Sequence, residues 1–225
     1  MSEGRLVRVP TAFGAGGEAM TRAAMMDIGV AEAATVAEAT VSEQTRRVRS
    51  VLPERAVVLG GCCCTHVGAV AGLADRAGWV AVVWVDAHGD LNTPQTSPSG
   101  NEWGMPFRMI LDDGHARVED SCLIGARSLD PPEQEFIVTR GLATELGSLE
   151  GVAGAYVAFD CDVLDPGQID CFMPEPDGIS LDQGVAIVEQ VGSRTTILGM
   201  GLTGLVESPG NPVRLRRLLD AAGLG

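Results

Sequence analysis

The sequence predicts an α/β fold: a single three-layer domain spanning residues 1–225, with a mostly parallel sheet flanked by helices. Three observations point to it. Strand-like and helix-like segments alternate along the 225 residues, the pattern of repeated βα units. Several strand-like segments, such as Trp79–Val85 and Tyr156–Phe159, are unbroken apolar runs and read as buried strands. Acidic or glycine-rich clusters follow directly on those runs, at the strand ends where open parallel sheets bind their ligands.

In chain order, Leu6–Pro10 reads as a strand and Ala31–Val51 as a helix. The run Gly14-Ala15-Gly16-Gly17-Glu18-Ala19 between them fits a loose dinucleotide-binding pattern. Pro10 and several further residues intervene, no acid is placed for a ribose, and a lone match of this kind is weak. A glycine-rich loop near the functional site is the preferred reading. Ala56–Gly60 is the next strand, and a helix runs from about Thr65 to Ala77. The Trp79–Val85 strand leads through a Pro/Ser/Gly-rich loop, Asn92–Asn101, into a helix around Gly104–Leu111. Then follow strand Cys122–Gly125, helix Pro132–Thr139, strand Tyr156–Phe159, helix Leu181–Val191, strand Thr196–Gly201 and helix Val213–Ala222. No internal repeat, linker or second domain is visible.

Sixteen basic against thirty acidic residues give a net charge of −14. Such a surface repels nucleic acid and anionic membranes, so neither is expected as a partner, and a cationic ligand is favoured. No window approaches the ~18–20 apolar residues that span a bilayer, and the N-terminus lacks the basic and apolar segments of a leader peptide. A cytoplasmic chain with reduced cysteines is the expectation. Three of its six cysteines are consecutive, Cys62, Cys63 and Cys64, a spacing unlike any disulfide framework or zinc knuckle.

Two acidic clusters carry the chemistry. Asp86, His88 and Asp90 follow one buried strand, and Asp160 and Asp162 follow another. Alternate residues of an extended chain point to one side, so the five side chains can converge. Four carboxylates gathered at the end of a buried sheet repel one another and resist desolvation. Either their pKa values rise or a cation neutralises them, and a metal is the simpler answer.

With these residues placed, the chain resembles the ureohydrolase family of arginases and agmatinases, which hydrolyse guanidino compounds at a binuclear manganese centre. Four landmarks match in order: Gly60-Gly61 at a strand end, Asp86-Ala87-His88-Gly89-Asp90, the run from Asp160 through Asp162 to Asp165-Pro166, and Val206-Glu207-Ser208-Pro209. The resemblance implies that Asp86 and Asp160 bridge two ions, with His88 and Asp162 completing one ligand set and Asp90 serving the other. It further implies that Glu207 grips the guanidinium above the attacking hydroxide, that Asp165 stays outside the ligand sets, and that the chain forms a trimer or hexamer. The Asn92–Asn101 loop is similar to the arginase loop that holds the amino-acid end of the substrate, through Asn92, Ser99 and Asn101. Asp130 matches the position that receives the α-amino group. Both favour the arginase branch.

Two positions depart from the family pattern. Cys63 replaces a histidine ligand of the first metal. A thiolate there can ligate but favours Zn²⁺, Co²⁺ or Fe²⁺ over Mn²⁺; a protonated thiol leaves that ion weakly held, so two ions, or one, are expected. His66 is one helical turn away and reads as a helix-surface residue rather than a replacement ligand. Trp103 replaces the histidine that shuttles protons near the site mouth. Indole does not titrate near neutrality, and it is read either as a cation–π wall for a guanidinium or as packing. His115 and Arg108 read as solvated.

The expected function is therefore metal-dependent hydrolysis of a C–N bond in a small guanidino or amidino amino acid, with Asp90 and Glu207 in the catalytic machinery. The alternative is a catalytically impaired relative that binds metal or amino acid in a regulatory or partner role. A formimino-group hydrolase is a third reading.

Overall fold

A computed structural model describes residues 4–225; residues 1–3, part of the N-terminal segment judged above for a leader, lie outside it. Seven strands form one sheet in the order β2-β1-β3-β7-β6-β4-β5. They are β1 Leu6–Val9, β2 Glu32–Thr35, β3 Ala56–Gly60, β4 Ala81–Val85, β5 Cys122–Ile124, β6 Ala155–Asp160 and β7 Ile197–Thr203. Every pairing is parallel. The helices are α1 Glu18–Ala23, α2 Val41–Val51, α3 Thr65–Ala77, α4 Pro106–Asp112, α5 Pro131–Arg140, α6 Leu181–Arg194 and α7 Asn211–Ala221.

The three layers follow from side-chain alternation. Val57, Leu59, Val157, Phe159 and Met200 face one core with Val188 of α6 and Leu215 of α7. Val58, Trp84, Tyr156 and Ala158 face the other, with Val48 of α2, Val70 of α3 and Phe107 of α4. With both faces covered, β3, β4 and β6 are buried along their whole length, which is why they read as continuous apolar runs. Among the described residues, no helix is long and apolar enough to cross a membrane.

The expected helix Ala31–Val51 is corrected. Its first part is the edge strand β2, paired only with β1, and the helix begins at Val41. The Ala/Glu-rich stretch has helical propensity, but the ladder to β1 and the Arg8–Glu32 ion pair at 2.8 Å override it. Thr40 then caps α2. Its hydroxyl accepts from the Glu43 amide at 3.2 Å and donates to the Glu43 carboxylate at 2.8 Å, a reciprocal cap that sets the start. The short α1 has no counterpart in the expected elements.

The chain lays down β1, β2 and β3 together, then crosses to β4 at the far side, leaving the gap that β7 and β6 later fill. The segments after β3, β4, β5, β6 and β7 therefore emerge together at the carboxyl edge around this switch.

Candidate metal and substrate site

A cavity of about 370 Å³ opens at that edge. Its floor is the acidic cluster, and all six expected metal-ligating residues line it: Cys63 after β3, Asp86, His88 and Asp90 after β4, and Asp160 and Asp162 at the end of β6. Two sets of side chains have ligand atoms within 4.8 Å of one another. They are Cys63, Asp86 and Asp160, and Asp86, His88 and Asp162. Asp86 belongs to both.

The convergence has a different cause from the extended alternation expected. β4 ends at Val85, and Asp86–Asp90 form a turn. Asp90 is held at φ 50, a left-handed conformation that is uncommon outside glycine and that clusters at functional sites. Gly89 lets this turn approach α5, since a Cβ there would lie 2.7 Å from Glu133 Oε1.

Hydrogen bonds orient the carboxylates. Asp86 Oδ2 accepts from the Trp84 indole at 3.0 Å and Oδ1 from the His88 amide at 2.7 Å. Asp162 Oδ1 accepts from the Ala87 amide at 3.2 Å, which ties the two acidic segments together. Asp160 Oδ1 accepts from the Asp162 amide at 3.0 Å. Its Oδ2 accepts from the Cys63 thiol at 2.9 Å and the Thr203 hydroxyl at 3.1 Å.

Electrostatics show the cost of gathering these groups. Burial, then the charge of Asp162, lifts Asp160 to about 7. Burial, then Asp86, lifts Asp162 to about 6 and holds Asp90 well above the usual carboxylate range. Burial followed by the charges of Asp160, Asp90 and Asp86 pushes the Cys63 thiol up. His88 also rises, which for an imidazole favours the charged form. Burial disfavours its charge, but Nδ1 lies 3.1 Å from Asp162 and 3.5 Å from Asp86, and the pairs carry it up to about 12. Asp90 Oδ2 is buried with no hydrogen-bond partner. An orphaned carboxylate oxygen, four desolvated acids and two overlapping ligand sets suit divalent cations.

The upper wall holds Asn92, Ser99, Trp103 and Asp130, as expected. Asn92 donates to Asp130 Oδ2 at 2.9 Å, joining the loop to the start of α5. Trp103 meets Phe172 edge-on at 5.9 Å and packs on the glycine-rich loop, where a Cβ on Gly14 would lie 2.2 Å from its ring. That loop therefore lies beside the cavity. Two expected residues are not brought to it. Asn101 accepts from the Ala15 amide at 3.1 Å and does not line the wall. Glu207 is 60% exposed, outside the cavity, and paired with Arg22 at 3.4 Å.

Several contributors escaped the sequence. His66 is fully buried rather than on a helix surface. Its Nδ1 is 2.9 Å from the Tyr156 hydroxyl and its Nε2 is 3.2 Å from Thr203 Oγ1. Since Thr203 donates to Asp160, the hydroxyl must accept from His66, whose Nδ1 then accepts from Tyr156. This one-directional relay orients Asp160, with His66 kept neutral because burial lowers its pKa to about 3. Arg127 fastens the rim. Its guanidinium donates to the carbonyls of Gly125, Asp162, Val163, Glu175 and Pro176. Glu175 itself lines the cavity.

A family model described as the arginase family matches residues 11–206. The arginase of Bacillus subtilis (strain 168) is 34% identical over 152 residues, which is 54% of this chain and 51% of that protein. The chain thus spans about half the length of the curated relatives it matches. Two solved structures share the fold: arginase from Bacillus cereus, with TM-score 0.79, 22% identity, and 98% and 97% of the two chains covered; and formimidoylglutamase from Bacillus subtilis subsp. subtilis str. 168, with TM-score 0.75, 15% identity, and 99% and 86% covered.

Proposed function

We propose that this chain, which belongs to the arginase family, hydrolyses a C–N bond in a small guanidino or amidino amino acid. The observation that carries the reading is the pair of overlapping ligand sets sharing Asp86 at the floor of a substrate-sized cavity. Cys63, Asp86, Asp90 and Asp160 would hold one divalent ion, and Asp86, His88, Asp160 and Asp162 the other, two Mn²⁺ by family resemblance. When bound, the ions lower the pKa of water towards neutrality and polarise the carbon it attacks.

The chain's own groups do the rest. Asp90 Oδ2, buried and unpartnered, accepts the proton that leaves the attacking water. That proton is then returned to the departing amine as the C–N bond breaks. The Trp84 and Thr203 hydrogen bonds keep Asp86 and Asp160 aimed at the floor. Asn92, Ser99 and Asp130 face the amino-acid end of the substrate, and Trp103 with Phe172 walls the cavity against water.

The test is urea release from a panel of guanidino acids with Mn²⁺, Co²⁺, Ni²⁺ or Zn²⁺. At least one pairing should turn over, and Asp160→Asn should abolish it. No turnover with any ion overturns the enzymatic reading. One observation favours ligand binding without turnover: among the described residues His88 is the only imidazole on the cavity wall, and its Nδ1 faces the cluster.

A further inference from the structure

We propose that Glu175 is the carboxylate that receives the cationic end of the substrate; this rests on the guanidino or amidino reading above. A guanidinium is planar, permanently charged and forked, and a carboxylate matches it best. Besides the cluster at the floor, the cavity wall offers three carboxylates: Asp130, Glu133 and Glu175.

Two of these are engaged. Glu133 is buried, with Oε1 accepting from the Leu91 amide and Oε2 from the Asp130 amide, both at 2.9 Å. Asp130 begins α5 and accepts from Asn92 at 2.9 Å. Among the described residues, no hydrogen bond reaches the Glu175 carboxylate. Its nearest charged partner is His88 Nε2 at 3.6 Å, beyond hydrogen-bond range, and the side chain is 31% exposed. Both oxygens are free to accept. Glu207, the residue expected for this task, is outside the cavity and paired with Arg22.

The Glu175 backbone is fixed relative to the floor. Arg127 Nη2 donates to the Glu175 carbonyl at 2.9 Å and to the Asp162 carbonyl at 3.0 Å, so one guanidinium joins the two segments. A carboxylate on that anchored segment, 3.6 Å from His88 Nε2, places a bound cation beside the cluster. The competing role is to orient His88 by accepting its Nε2–H, the usual outer partner of a metal-bound imidazole. That role predicts lost metal rather than lost cation recognition.

The experiment is calorimetric titration of the Mn²⁺-loaded protein and of its Glu175→Gln variant with L-arginine, 4-guanidinobutyrate and the neutral ureido compound L-citrulline. Manganese content and melting temperature are measured in parallel. The expected result is a dissociation constant raised by about tenfold or more for the two guanidino acids, the loss of one charge-assisted pair. Citrulline should change less than about twofold, with manganese and melting temperature unchanged. Equal weakening of all three compounds, a fall in manganese content, no change, or a larger loss in Glu207→Gln overturns the assignment. If the wild-type protein binds neither guanidino acid, the substrate reading falls with it; wild-type binding that the variant retains undiminished overturns the role of Glu175 alone.

Discussion

Metal uptake should expel protons, and the count is legible in the cluster. Coordination needs a neutral imidazole and ionised carboxylates, yet the metal-free site holds His88 at about 12 and Asp160 at about 7. At pH 7 the pairs with Asp162 and Asp86 outweigh burial and keep His88 protonated. Binding is therefore expected to release at least one proton per chain from His88 between pH 6.5 and 8.5, with a further fraction from Asp160 near pH 7. Apparent manganese affinity should then rise about tenfold or more per pH unit. The metal-free protein responds in the opposite sense. Asp160 and Asp162 (about 6) retain protons that the unfolded chain has shed above its ordinary carboxylate pKa, so stability falls as pH rises from about 4 through 7. The contribution of His88 is complete below its unfolded pKa and is lost as pH climbs through about 12. Titration calorimetry in buffers of differing ionisation enthalpy counts the protons, and thermal melts of chelated protein give the second slope. His88→Asn should release one proton fewer and flatten the melting slope above pH 6.5. A pH-independent affinity, or an unchanged proton count in the variant, would refute this electrostatic account.

Two substitutions probe the floor directly. With Sγ 2.9 Å from Asp160, Cys63 is expected to ligate as a thiolate once an ion compensates its charge. The Co²⁺-loaded protein should then show sulfur-to-metal charge-transfer absorption that Cys63→Ser abolishes, and Cys63→His should raise the Mn²⁺-to-Zn²⁺ content about tenfold. An unchanged spectrum places the thiol outside the coordination sphere. At Gly204, φ is +70 and an added Cβ would lie 1.9 Å from Asp160 Oδ1. Gly204→Ala should lower manganese content by at least half, as well as carrying the ~1–2 kcal/mol of the left-handed conformation. Gly114 shares that φ, with nothing within 4 Å of an added Cβ, so Gly114→Ala should lower the melting temperature by only a few degrees and leave manganese untouched. Equal metal loss in both would refute the steric argument.

How much of the fold was legible depended on burial. Strands β3, β4 and β6 announce themselves because both faces are covered and their sequences are apolar up to the closing Gly60, Val85 or Asp160, and β7 is buried along nearly its whole length. Helix α3 runs from Thr65 to Ala77 as expected, ended by Gly78 at φ 83. The failures are local. β2 exposes most of its residues, so no alternation marks it, and only its ladder to β1 makes Glu32–Thr35 a strand. Six-residue α1 is too short to show a period.

The acids of the site were legible because two clusters follow two buried strands and the motifs recur in order; either cluster alone reads equally well as a capped turn or solvated loop. Their supporting groups carry no such mark. Trp84 alternates onto the Asp86 side of its strand yet reads only as one more apolar residue. His66 looked exposed because a sequence does not show which helix faces are covered; in the fold α2, α4 and β7 all pack on α3. Its partner Thr203 is 137 residues away, and Arg127 reaches Glu175 across 48. The same blindness acts in reverse on Asn101 and Glu207, which occupy motif positions in the sequence but whose side chains the fold turns to Ala15 and Arg22. A motif specifies which residues are available at the carboxyl edge. Whether a given carboxylate faces the cavity is decided by which backbone segment Arg127 and its neighbours pin there, and by that criterion Glu175, in no motif at all, outranks Glu207.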